Sequence, residues 1–260
     1  MIKSQKGNYI LFKPSGSFIW KKWLNIKPSS RLSYALIYFA HCFRYVYGLI
    51  LIQFYGRILG VEEYGKLLTA SALYQVIWMI MEYGYPTNGV RDLAGRNDKK
   101  EIAKIFGQQF IARIYLIPLG LTIGCFAVWL SPVLLANPKF GLWAVALAII
   151  SSFSISWYFQ ATFQYFTQSI FELMSFVFSL ILILIFIKNE QDGASVFIYL
   201  FIVTCTIIIV SYAIAIKQFG IVNLEFKGGI SLFQNSTTLF VSRGLKMTMM
   251  FSSSYILSLL

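Results

Sequence analysis

Seven apolar runs, each close to the length that crosses a bilayer and separated by short polar connections, limit this chain more than any single motif does. About 20 predominantly apolar residues span a hydrocarbon core, and such runs occupy residues 34–58, 65–89, 105–129, 140–160, 169–187, 194–216 and 236–260. Backbone polar groups find no water inside a bilayer, so consecutive runs of this kind fold as helices. Hydrophobic residues make up 58% of the 260 and charged ones 12%, against about 45–50% and 25% in soluble domains. The expected fold is therefore all-α, a polytopic membrane helix bundle of about seven transmembrane helices. Cys42, Cys125 and Cys205 each fall inside an apolar run without paired spacing, a pattern that fits neither a disulfide framework nor zinc; they read as small core residues. No cofactor and no metal is expected.

The connections carry the orientation. Residues 1–33 hold seven cations (Lys3, Lys6, Lys13, Lys21, Lys22, Lys27, Arg31) and no acid, 91–104 hold five, and 217–235 hold two, fourteen in all. The alternate connections hold Lys139 and Lys188, with Lys66 at a helix edge. Lys and Arg concentrate on the cytoplasmic side, which predicts a cytoplasmic N-terminus, with 91–104 inside and 188–193 outside. The overall balance of 22 Lys and Arg against 10 Asp and Glu follows from the same flanking role, and nucleic acid is not an expected partner. The tail also interleaves Ile10, Phe12, Phe18, Trp20 and Trp23 with its lysines. Two readings stand, a disordered basic segment that fixes topology and a segment lying on an anionic lipid surface.

Three stretches sit at helix ends: RILGVEEYGKL (57–67), EYGYPTNGVRDLA (82–94) and SWYFQATFQYF (156–166). Gly60 and Gly65 permit a tight turn with Glu62 and Glu63 in water, while Gly84, Pro86 and Gly89 loosen the second helix near the cytoplasmic face, as a hinge would. Close packing is the competing reading of such glycines, and Gly56-xxx-Gly60 and Gly120-xxx-Gly124 have small-xxx-small spacing. Together the three stretches resemble the polysaccharide and O-antigen flippases of the multidrug/oligosaccharidyl-lipid/polysaccharide exporter superfamily. Those proteins have an Arg-x-Leu-Gly-x-x-x-Tyr/Phe-Gly turn after the first helix, a Gly-hydrophobic-Pro element ending the second and a Trp-x-Phe-Gln element ending the fourth. The match runs in register over about residues 34–260. One departure is that the family follows Trp-x-Phe-Gln with a glycine and a basic loop, whereas 161–169 here contain no cation.

The resemblance implies two six-helix lobes facing each other across a cavity, of which this chain would supply one lobe and the start of the next. The implied divisions are a basic cytoplasmic tail (1–33), a six-helix N-terminal lobe (34–216), a cytoplasmic linker (217–235) and the first helix of a truncated second lobe (236–260); a partner chain supplying the rest is the alternative to truncation. The implied activity is translocation of an undecaprenyl-pyrophosphate-linked oligosaccharide for surface polysaccharide or O-antigen assembly, in a bacterial inner membrane. The implied partners are that anionic lipid-linked glycan, membrane lipid and other polysaccharide-assembly membrane proteins. Two alternatives are a polytopic enzyme of cell-surface glycan assembly and a small-molecule exporter of the same superfamily. The chain is expected not to be an enzyme: it offers one histidine, His41, and no acidic pair beyond Glu62 and Glu63 for the nucleophile, base or metal cluster that chemistry needs.

Charges inside the apolar runs locate the expected site. At about 1.5 Å per residue, Arg44, Glu82, Arg113, Arg243 and Lys246 fall in one layer roughly 10–15 Å from the cytoplasmic end. His41, Arg44, Tyr47 and Gly48 share one helical face, and Gln75, Trp78, Glu82 and Tyr85 share another. Four cations against one acid need compensation in low dielectric, and a pyrophosphate would supply it. Arg44, Arg113, Arg243, Lys246, His41 and Tyr47 are thus the expected substrate contacts, with Glu82 holding Arg44 between cycles and Gly84, Pro86 and Gly89 as the hinge. Snorkelling to the inner surface is the competing reading for Arg113 and Lys246.

Overall fold

The computed structural model describes residues 30–220 and 228–242, and every described element is helical. In chain order these are α1 (Ser30–Ile58), α2 (Gly60–Glu82), α3 (Tyr85–Leu93), α4 (Lys99–Leu130), α5 (Pro132–Ala136), α6 (Pro138–Ser152), α7 (Ser156–Ala161), α8 (Tyr165–Phe186), a single 3-10 turn at Glu190–Asp192, and α9 (Ser195–Phe219). A further helix, α10, covers 228–242. Among the described residues five stretches are long and apolar enough to cross a membrane: Tyr34–Ile58, Lys99–Leu130, Pro138–Ala161, Tyr165–Phe186 and Ser195–Phe219. The expected run at 65–89 is instead the 23-residue α2 followed by a break and a short α3. The expected run at 236–260 lies mostly outside the described residues.

Glu62 and Glu63 do not form a loop. Leu59 alone separates α1 from α2, because Gly60 takes a φ of +70° that reverses the chain at once. The two acids therefore stand in the first turn of α2, where they complement the helix dipole, and Lys66 bonds both at 2.9 and 2.7 Å. The turn at Glu190–Asp192 lies against this corner, with Glu190 beside Gly60 and Gly193 beside Glu63. The α1–α2 and α8–α9 connections thus occupy one end of the bundle, as an alternation of antiparallel spans requires.

Two apolar cores stack along the bundle axis. The larger lies between α2, α4, α6, α8 and α9 and includes Ile77, Met81, Leu116, Val145 and Ile183. In α2, Leu67, Ala70, Leu73, Ile77 and Met81 form one buried stripe at three- and four-residue spacing, and the helix packs most closely against α6. Gly120 and Gly124 belong to this core. A β-carbon on Gly120 would stand 2.6 Å from Met81 Sδ, and one on Gly124 2.6 Å from Val145 Cγ2, so close packing explains that pair. Gly56 has nothing within 4 Å, and packing does not explain it. The smaller core sits between α3, the start of α4, α7 and the end of α9. Phe106 is its centre, with the rings of Trp157, Tyr158, Tyr212 and Phe219 between 5.0 and 5.8 Å away.

Candidate functional site

Two helix breaks separate these cores. At the first, Tyr83 and Gly84 both adopt left-handed backbone, φ 44° and 79°, and Pro86 in the first turn of α3 has no N–H to return to the Glu82 carbonyl. At the second, Phe153–Ile155 interrupt what would otherwise be one helix from Pro138 to Ala161. Carbonyls freed by a break inside a membrane must find another donor, and α4 supplies it. Arg113 is 1% exposed. It donates from Nε to the Ser152 carbonyl at 2.6 Å and from Nη1 to the Gln109 carbonyl and Oε1 at 2.7 and 2.9 Å. Gln109 in turn donates to the Tyr85 carbonyl at 3.1 Å. The guanidinium lies 5.6 Å from the Tyr85 ring centre, and the Glu82 carboxylate acts on it electrostatically. One buried arginine and one glutamine thus tie both breaks to α4.

The sequence stretches around the breaks meet in space. Gly89 of α3 lies under Trp157 of α7 so closely that a β-carbon would stand 2.6 Å from the indole Cε3. Tyr83 stacks between Phe233 and Phe240 of α10 at 4.7 and 4.4 Å. Asn88 Nδ2 donates to Ser236 Oγ at 2.6 Å in full burial. Residues 228–242 therefore form one continuous helix docked on the first break. This helix runs across the expected division between linker and next helix at 235/236.

A polar cleft opens between α1, α7, α8 and α9. Arg44 of α1 donates to Glu172 of α8 as an ion pair, its side chain 51% exposed and that of Glu172 24%. Two cavities share this pair together with Gln160 and Gln168. One, of about 410 Å³, extends toward Ser175 and Thr204, and the other, of about 270 Å³, toward His41 and Tyr165. Tyr47 sits one turn along from Arg44, bonded through its hydroxyl to Ser179 Oγ at 2.9 Å and packed on Phe176 at 5.0 Å. Among the described residues no group of three His, Cys, Asp or Glu is placed to hold a metal ion.

The expected site residues thus separate. Arg44 and His41 line the cleft, and Tyr47 braces its wall. Arg113 does not line it. Its guanidinium is buried, bonded to the Ser152 carbonyl at the second break and to Gln109 of its own helix, so the expectation that it points into the cavity is corrected. Arg44 is held by Glu172 rather than by Glu82, whose charge acts on Arg113 instead. Gly84 and Pro86 form the first break, and Gly89 is a packing position against Trp157. Arg243 and Lys246 lie outside the described residues. Glu172, absent from the expected set, brings an acid into the layer and removes the cation surplus among the described residues.

Fold and site together define a multi-pass helical membrane protein with a charged, polar cleft between its helices. The chain belongs to the family of polysaccharide biosynthesis proteins, whose pattern it matches over residues 33–260. It is 27% identical over 90 residues to a protein of Shigella dysenteriae named "Putative O-antigen transporter", a match covering 35% of this chain and 23% of that protein. The chain therefore spans about a quarter of the length of that curated relative. No solved structure matches it.

Proposed function

We propose that residues 34–242 form one lobe of a flippase that moves a lipid-linked oligosaccharide across the inner membrane, with the N-terminus in the cytoplasm. The observation that carries this reading is Arg44, a guanidinium held within the membrane layer by a side chain on another helix, at the mouth of a polar cleft. Family membership and the name of the Shigella relative support the same class. The charged pyrophosphate of an undecaprenyl-linked glycan would exchange with Glu172 at Arg44 while the polyprenyl tail stays in lipid. A facing lobe would complete the cavity and alternate its access by rocking. The test is restoration of surface polysaccharide, in a strain lacking its own flippase, by the protein joined to its facing lobe. Arg44→Ala should abolish export at unchanged expression. Arg44→Lys should keep part of it, since an ammonium binds phosphate as a point charge without the bidentate fork. Normal export by Arg44→Ala would remove this reading.

A further inference from the structure

Beyond the Arg44–Glu172 pair, the larger cavity changes character. Six hydroxyls line it, from Ser151, Ser154, Ser156, Ser175, Thr204 and Ser211, and the described residues add no further charge. Serines and threonines on apolar helices usually bond back to a carbonyl one turn earlier, as Ser71, Thr206 and Ser211 do here. Ser151 is engaged by Tyr74. The hydroxyls of Ser154, Ser156, Ser175 and Thr204 make no hydrogen bond to other described residues. Phe159, Phe171 and Phe176 supply aromatic surface beside them.

We propose that this hydroxyl-lined part of the cleft seats an uncharged polyhydroxyl group, a sugar unit carried next to the anion that Arg44 receives. The proposal rests on the flippase reading for the identity of the cargo. Each side-chain hydroxyl offers one donor and two acceptors, the same set that a sugar hydroxyl offers in return. Aromatic rings match the C–H faces of a pyranose. A polyprenyl tail would strand the hydroxyls without partners, and a phosphate would find no cation there once past Arg44. A cavity of about 410 Å³ is within the range of small-ligand sites, about 300–1,000 Å³.

The test uses cysteine accessibility in membranes of the cells that make the protein, with Cys42, Cys125 and Cys205 replaced by serine. Ser175→Cys and Thr204→Cys report on the cleft, and Thr206→Cys, outside its lining, is the control. Modification by a water-soluble thiol reagent is compared between cells that assemble the lipid-linked glycan and the same cells lacking the enzyme that attaches its first sugar. With glycan-bearing lipid at about ten times its dissociation constant, occupancy should slow modification at Ser175→Cys and Thr204→Cys about tenfold and leave Thr206→Cys unchanged. Equal rates in the two strains at both cleft positions would overturn the sugar seat. So would equal slowing when membranes without glycan receive undecaprenyl pyrophosphate alone, because the anion would then suffice. Surface polysaccharide is measured in parallel. When the protein is joined to its facing lobe, protection without export keeps the seat and removes the flippase reading, whereas export without protection does the reverse.

Discussion

Replacing Arg113 with lysine keeps the buried positive charge and removes the fork, so it separates a structural clamp from a substrate contact. In the wild type, Nε reaches Ser152 O while Nη1 reaches Gln109. One ammonium on a shorter side chain cannot reach both Ser152 and Gln109, and at least one bond to a charged donor is lost. Such a bond is worth about 1.5–3 kcal/mol in water-soluble proteins but averages about 0.6 kcal/mol inside membranes. A loss of about 1–2 kcal/mol lies between these limits. At about 2–4 °C per kcal/mol for a chain of this size, detergent-solubilised Arg113→Lys should melt about 2–8 °C below wild type, read by size-exclusion recovery after heating. Gln109→Leu breaks the same clamp from its other side. The double variant should therefore lose less than the two single losses combined, as coupled positions do. Wild-type melting of Arg113→Lys together with lost export would refute the clamp and return Arg113 to the substrate path.

Gly89→Ala places a β-carbon 2.6 Å from Trp157 Cε3 and should destabilise the protein by about 1–3 kcal/mol; Trp157→Leu in the same chain should recover part of that loss, measured by the same melting assay. Reporter fusions at Arg96 and Gln191 should give cytoplasmic and external signals respectively, because 91–104 carry five cations and 188–193 carry one; equal signals would refute the alternation of spans.

The helical membrane class, the short connections and a loosening of the second helix near Gly84 and Pro86 are legible in the sequence, since each depends on local composition or local backbone geometry, whereas the full break there interrupts a run that reads as one span over 65–89. The second break was hidden. Residues 151–156 read SSFSIS, without glycine or proline, and what makes an interruption there tolerable is a hydrogen bond from Arg113, 39 residues earlier. The depth count placed Arg44 and Arg113 in one layer but could not tell which faces a cleft, because that depends on where the breaks leave free carbonyls. Glu172 is not legible as a membrane charge because the polar residues before it hide where its helix starts. Counted from residue 169 it stood at the edge of its run, yet α8 begins at Tyr165, which puts Glu172 two turns inside and level with Arg44.

The two arginines then differ in what would release them. Arg113 would have to give up the Ser152 carbonyl, which is free to accept only because the helix breaks there, together with two acceptors on Gln109 of its own helix, so its release requires the helices around the break to rearrange. Arg44 would have to give up one carboxylate on another helix, with half of its own side chain already exposed. Ion pairs at that exposure are worth about 0–1 kcal/mol, which corresponds to no more than about a fivefold change in affinity for a competing anion. Glu172→Gln should therefore tighten binding of a short-chain polyprenyl pyrophosphate to the purified protein by about fivefold or less, with melting shifted by less than that of Arg113→Lys. Weaker binding in Glu172→Gln would mean that the carboxylate positions Arg44 for the anion. A much larger gain, with melting unchanged, would mean that the pair is a closed latch rather than an exchangeable contact.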